Sequence, residues 1–131
     1  MYKVSGKTNV LPFVVGAGGV TAGDLVVIAA GAVVAAAAAP TAATIVGIAT
    51  NTAAQNATCY VDLIGDSVIR APYTGAVKLT IADADFGTAF DLSTATTVNL
   101  DDVVGGPCVC VGYDNDAGTI EFIVPEALKY C

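Results

Sequence analysis

Apolar and polar residues alternate in short runs along most of this chain. Between residues 58 and 64, Cys59, Val61 and Leu63 fall on one side and Tyr60, Asp62 and Ile64 on the other, the period of two that marks a half-buried strand. Residues 77–82 (VKLTIA) alternate in the same way. Further β-branched runs at 25–29, 32–36, 45–50, 67–71, 90–92, 97–100, 108–113 and 119–124 are separated by turn residues such as Ala30-Gly31, Gly65-Asp66 and Pro72-Tyr73-Thr74-Gly75. Residues 83–88 (DADFGT) read as a loop or one helical turn. Short strands at roughly ten-residue spacing predict an all-β fold, a small antiparallel barrel or sandwich. Strands alternating with long helices, the mark of a parallel α/β sheet, are missing.

Two stretches resemble each other. TIVGIATNTAAQNATCYVDLI (44–64) and CVCVGYDNDAGTIEFIV (108–124) each run strand, polar turn, strand, with Val46-Gly47 matching Val111-Gly112. About twenty residues upstream of each lies an Asp-Leu strand, Asp24-Leu25 in one case and Asp91-Leu92 in the other. Residues 21–131 therefore read as one β domain built from two related units. Residues 1–20 differ in texture. Pro12 sets an extended path, and Gly16, Gly18 and Gly19 loosen the chain beyond it. This segment reads either as an extended N-terminal arm that lies across a neighbouring chain, removable without unfolding the barrel, or as a frayed terminus or first edge strand. The alanine tract at 35–43 favours an extended or irregular path over a short helix, because valine pairs flank it and a two-residue hairpin precedes it.

With 131 residues the chain can bury a real core. Only 13% of its residues are charged and 55% are apolar. Free monomers carry about 25% charged residues, so part of this surface is expected to be covered by a partner. Net charge is −7 and the five basic residues are scattered, which disfavours nucleic acid and anionic membranes. Residues 25–49 are uncharged, but alanine dominates and Gly31, Pro40 and Gly47 interrupt them, so they read as strands rather than a membrane span.

Candidate chemistry is sparse. Asp114-Asn115-Asp116-Ala117-Gly118 departs from a calcium loop, because the glycine is fifth rather than sixth and no acid follows at the twelfth position; it reads as a hairpin turn. Asp83/Asp85 and Asp101/Asp102 are carboxylate pairs in loops without basic or nucleophilic neighbours. Gly16-x-Gly18-Gly19 lacks the lysine and helix of a phosphate loop. Cys108 and Cys110, two apart on a strand, would sit about 6.6–6.8 Å apart at Cα, near the limit for a disulfide. With no histidine, zinc would need Cys59, Cys108, Cys110 and Cys131 together. Inert thiols are expected, with no metal, no cofactor and no catalytic residues.

In AGDLVVIAAGAVV (22–34), TIVGIATNTAAQNATCYV (44–61) and the half from GAVKLTIADADFGTAFDLS through VNL to VCVGYDNDAGTIEFIV, the chain resembles the capsid decoration proteins of tailed bacteriophages, also called cement or head-stabilisation proteins. The resemblance covers roughly residues 20–125. It implies a compact β-barrel-like domain, often a homotrimer, that binds between major capsid protein subunits on the outside of the virion, after synthesis in the host cytoplasm. It implies no enzyme activity; the charge balance and the interrupted apolar stretch argue against nucleic-acid and membrane partners. An arm that completes the contact would place Tyr2, Lys3, Val4, Lys7, Leu11, Pro12 and Phe13 against the shell, together with one exposed sheet edge. The alternative is another virion or surface-adhesion β module, from a tail or fibre.

Overall fold

In a computed structural model residues 1–127 are described, and eleven strands run through them in two sheets. They are β1 (Tyr2–Ser5), β2 (Val10–Val14), β3 (Leu25–Ala29), β4 (Ala32–Ala35), β5 (Ile45–Ala49), β6 (Thr58–Leu63), β7 (Val68–Thr74), β8 (Ala89–Thr94), β9 (Thr97–Asn99), β10 (Cys108–Asp114) and β11 (Thr119–Ile123). The only helical pieces among the described residues are two 3₁₀ turns, Ala42–Thr44 and Asp83–Asp85. No helix among the described residues is long and apolar enough to cross a membrane. The alanine tract follows the irregular path expected of it, with its 3₁₀ turn only after Pro40.

One sheet has the order β2-β6-β5-β3-β4, and the other β1-β7-β11-β10-β8-β9. With β1 set aside, the two orders are the same. In each half the first strand pairs the fifth, the fifth pairs the fourth, the fourth pairs the second, and the second forms a hairpin with the third. Both halves also close on themselves. β7 runs parallel to β9 through Tyr73↔Val98 and Thr74↔Asn99, and a parallel bridge joins Val15 to Val33 in the first half. The registers match around the ring: Ala49↔Val61 corresponds to Cys110↔Phe122, and Gly47↔Val26 to Cys108↔Phe90. The relatedness seen in the sequence therefore extends to topology. The residue matches do not hold, because Gly47 corresponds to Cys108 and not to Gly112.

Each ring encloses its own inward-facing residues. Val15, Val26, Val33, Val46, Cys59 and Val61 fill the first; Ile69, Phe90, Val98, Cys108, Ile120 and Phe122 fill the second. Where the second ring has Phe90 and Phe122, the first has Val26 and Val61, so the second core is the bulkier. Leu25, Ile45, Ile48 and Ile64 face away from the first ring and join the second core. Strand β5 is consequently buried along its whole length. The Leu25 N–H also donates to the Ala95 carbonyl at 2.8 Å, which ties the halves through backbone. Ala30 and Gly31 both adopt positive φ, the geometry a two-residue hairpin turn requires.

Within residues 1–20 the two extended pieces form edge strands of this chain's own sheets. β1 pairs β7 and β2 pairs β6. The cause is the period of two: Leu11 and Phe13 turn toward the first core, Val15 is buried within it, and Val10, Pro12 and Val14 face out. Two turn and strand assignments also change. Pro72 and Tyr73 lie within β7, and residues 77–82 form no strand. In the latter the N–H groups of Ala76, Val77 and Lys78 donate to the Asp101 carboxylate, and Ile81 exchanges hydrogen bonds with the Asn115 side chain. Side chains there satisfy the backbone that a partner strand would otherwise pair.

Candidate functional site

The acids singled out in the sequence act as loop staples. Asp85 accepts the Ala82 N–H at 2.8 Å and pairs with Lys78 at 2.9 Å, and these two contacts, in that order, hold its carboxyl below the usual range. Asp83 accepts the Tyr113 hydroxyl at 2.7 Å, which pushes the phenol up. Asp102 accepts the Val104 N–H. Asp114 accepts the N–H groups of Asp116 and Ala117, the Asx-turn bonding expected of a hairpin loop. Among the described residues no group of three metal-ligating side chains comes together.

Asp101 takes the most backbone donors of these acids. Its carboxylate receives N–H donors from Ala76, Val77 and Lys78 and so ties the β7–β8 loop to the β9–β10 loop. Both loops leave the same end of the second ring, since β7 and β9 are parallel and Thr74 lies opposite Asn99. At this end large apolar side chains point into solvent: Val77 is 88% exposed, Leu79 68% and Val104 83%, with Val103 beside them at 53%. Phe86, 53% exposed, rests edge-on against Tyr113 nearby. Exposed apolar surface of this kind gains from being covered.

Donation from Lys78 and then Ala76 holds the Asp101 carboxyl below the ordinary carboxylate range. A depressed folded-state value means the tie is complete above the unfolded value and is lost as pH falls through the folded one. Asp101→Ala is expected to raise amide exchange at Ala76 and Lys78 by about an order of magnitude while leaving exchange within β10 and β11 unchanged. Wild-type protein is expected to loosen at the same amides only in acid below the ordinary carboxylate range. Unchanged exchange in the variant would remove Asp101 as the tie.

The three thiols among the described residues are buried. Cys59, Cys108 and Cys110 are free, and burial pushes all three up, Cys108 furthest with a smaller addition from Asp91. Low thiolate content makes them poor nucleophiles and poor ligands. Cys131 lies outside the described residues, so the four-cysteine arrangement is not formed by what is described.

Of the seven contact candidates in the N-terminal segment, four are exposed and three turn inward. Tyr2, Val4, Lys7 and Pro12 face solvent. Leu11 and Phe13 pack on the first core. Lys3 donates to the Asp62 carboxylate at 2.8 Å and to the Lys7 carbonyl at 2.7 Å, with its side chain only 11% exposed. The apolar tips at 77, 79, 103 and 104 were not singled out by sequence. A signal was present: Val103-Val104 stands between an acid pair and Gly105-Gly106, which is a loop context for two aliphatic residues.

A second feature lies on the outer face of the second ring. Tyr2 sits opposite Arg70, and Arg70 opposite Glu121, across β1, β7 and β11. Arg70 bonds Glu121 at 2.6 Å and the Tyr2 hydroxyl at 3.2 Å, and its guanidinium lies 5.8 Å from the Tyr2 ring centre. These contacts border an open cleft of about 580 Å³ that reaches the 114–117 turn. No family model matches the chain, and no curated protein matches it.

Proposed function

We propose that this protein is a viral structural component that decorates and stabilises a tailed-phage capsid, seated on the outside of the virion between major capsid protein subunits and acting as a homotrimer. It does no chemistry in this role and takes no cofactor. The resemblance in its sequence supplies the partner. The observation that carries the reading is the pair of stapled loops that presents Val77, Leu79, Val103 and Val104 to solvent. A decoration protein meets a preformed shell, so preorganised contacts bind without a further ordering cost. Identical copies around the shell add avidity, and each contact can be modest. The low charge of the chain fits close approach to another protein surface.

The experiment is co-sedimentation with undecorated capsids, preceded by native mass measurement of the free protein. A trimer that binds stoichiometrically is expected. Replacing Val77 and Val104 together by Asp is expected to weaken retention at least about tenfold with the thermal transition unchanged, since both side chains are already in solvent. Wild-type protein that stays in the supernatant, or a variant that decorates as well as wild type, would end this reading. The alternative, an adhesion module of a tail or fibre, is favoured by one observation, the cleft beside Tyr2.

A further inference from the structure

The cleft beside Tyr2 has a composition that selects its ligand. It is lined by one base, Arg70, and three acids, Asp114, Asp116 and Glu121, so phosphate and nucleic acid are repelled. A cation gains little, because Glu121 already pairs with Arg70 at 2.6 Å and Asp114 already accepts two backbone N–H groups. An apolar ligand finds no large aliphatic wall, since Ala117 is the sole aliphatic side chain at the rim.

A neutral polyol meets none of these objections. Each hydroxyl both donates and accepts, and the lining includes donors (the Thr119 hydroxyl and the guanidinium N–H groups that Arg70 does not give to Glu121 and Tyr2) as well as acceptors (the Asp116 carboxylate and the Glu121 oxygen that Arg70 leaves open). One wall is the Tyr2 ring, and Tyr2 is 55% exposed. Its aromatic face offers an apolar platform for the C–H face of a sugar, while its hydroxyl is held by Arg70. The same guanidinium is fixed from the other side by Glu121, so wall and floor are ordered before any ligand arrives, which lowers the cost of binding. The cleft is open rather than enclosed, and an oligosaccharide can lie along it with its ends in water.

We infer that this cleft, between the Tyr2 ring and the 114–117 turn, is a binding site for neutral oligosaccharide. The inference does not rest on capsid decoration. A protein that fails to bind capsids can still bind glycans here, and the reverse also holds.

The test is an amide chemical-shift titration of the full chain with lactose, maltotriose, chitotriose and mannotriose, and separately with inorganic phosphate. Saturable shifts confined to residues near Tyr2, Arg70 and 114–121 are expected with at least one sugar, and none with phosphate. Tyr2→Ala and Asp116→Ala are each expected to weaken that binding at least about tenfold. Tyr2 lies in an edge strand whose loss could disturb its neighbours, but Asp116 is at an exposed turn tip, so its variant keeps the fold. No saturable shift with any of the four sugars, shifts with phosphate in the same cleft, or sugar binding undiminished in Asp116→Ala would overturn the site.

Discussion

Deleting residues 1–15 is expected to unfold the first ring rather than trim an appendage. The segment contributes β2, which pairs with β6 over five residues from Val10↔Asp62 to Val14↔Thr58. It also contributes Val15, which is fully buried and forms the parallel bridge to Val33 that closes the ring. Leu11 and Phe13 pack on the same core. Burial of side chains of this size is worth about 1.5–3 kcal/mol each when complete. Two of the three are only partly buried, so the loss is roughly 3–6 kcal/mol before any hydrogen bond is counted. Whole domains of this size have about 5–15 kcal/mol in total. Removal would also leave β6 as a new edge with Cys59 and Val61 uncovered, an invitation to aggregation. Hydrogen exchange is the measurement. Protection in β3–β6 is expected to collapse while β8–β11 keep part of theirs, through the bulkier Phe90 and Phe122 core. A truncated protein that unfolds in one cooperative transition, within about 1 kcal/mol of wild type, would show that the segment is an arm after all. Loss of binding by such a truncation would report unfolding, so exposed-residue substitutions are the appropriate probe of docking.

The N-terminal segment admits both an arm and an edge strand in the sequence, and the structure takes the second. Pro12 and the glycines at 16, 18 and 19 are signs of an irregular path, and they blur the alternation of Leu11, Phe13 and Val15. Pro12 is compatible with a strand because β2 is an edge, where a missing donor need not face a partner. Most strands further along are legible because β-branched runs are bounded by turns, and Ala30-Gly31 forms the hairpin its residues predict. Residues 77–82 carry a strand's alternation but lack a strand's partner, and no local pattern can show that Asp101, more than twenty residues away, will take the backbone donors. Tertiary hydrogen bonding decides that segment. The cleft is invisible in the sequence for the same reason: Tyr2, Arg70 and Glu121 are far apart in the chain and meet only through register.

Gly47→Ala is expected to cost at least about 3 kcal/mol, near the upper end of overpacking penalties, whereas Gly112→Ala is expected to cost less than about 1 kcal/mol. The sequence makes these two glycines look interchangeable, each following a valine in the fourth strand of its half. Their surroundings differ. A methyl group on Gly47 would land on the Asp62 carbonyl and come within 3.0 Å of the Leu63 Cα, all backbone of the neighbouring strand. Strand β5 is held between β3 and β6 and buried throughout, so neither it nor its neighbour can withdraw without breaking ladder hydrogen bonds. At Gly112 the nearest atom is the end of the Glu121 side chain, 3.1 Å away. That carboxylate is about one-third exposed and need give only slightly, without leaving Arg70, and the backbone there is not left-handed. The register fits the contrast, since the counterpart of Gly47 is Cys108, whose side chain is buried in the second core. Urea denaturation of the two variants measures the difference directly. Equal midpoints would mean that the β6 backbone yields to a methyl group at Gly47 as readily as the Glu121 side chain yields at Gly112.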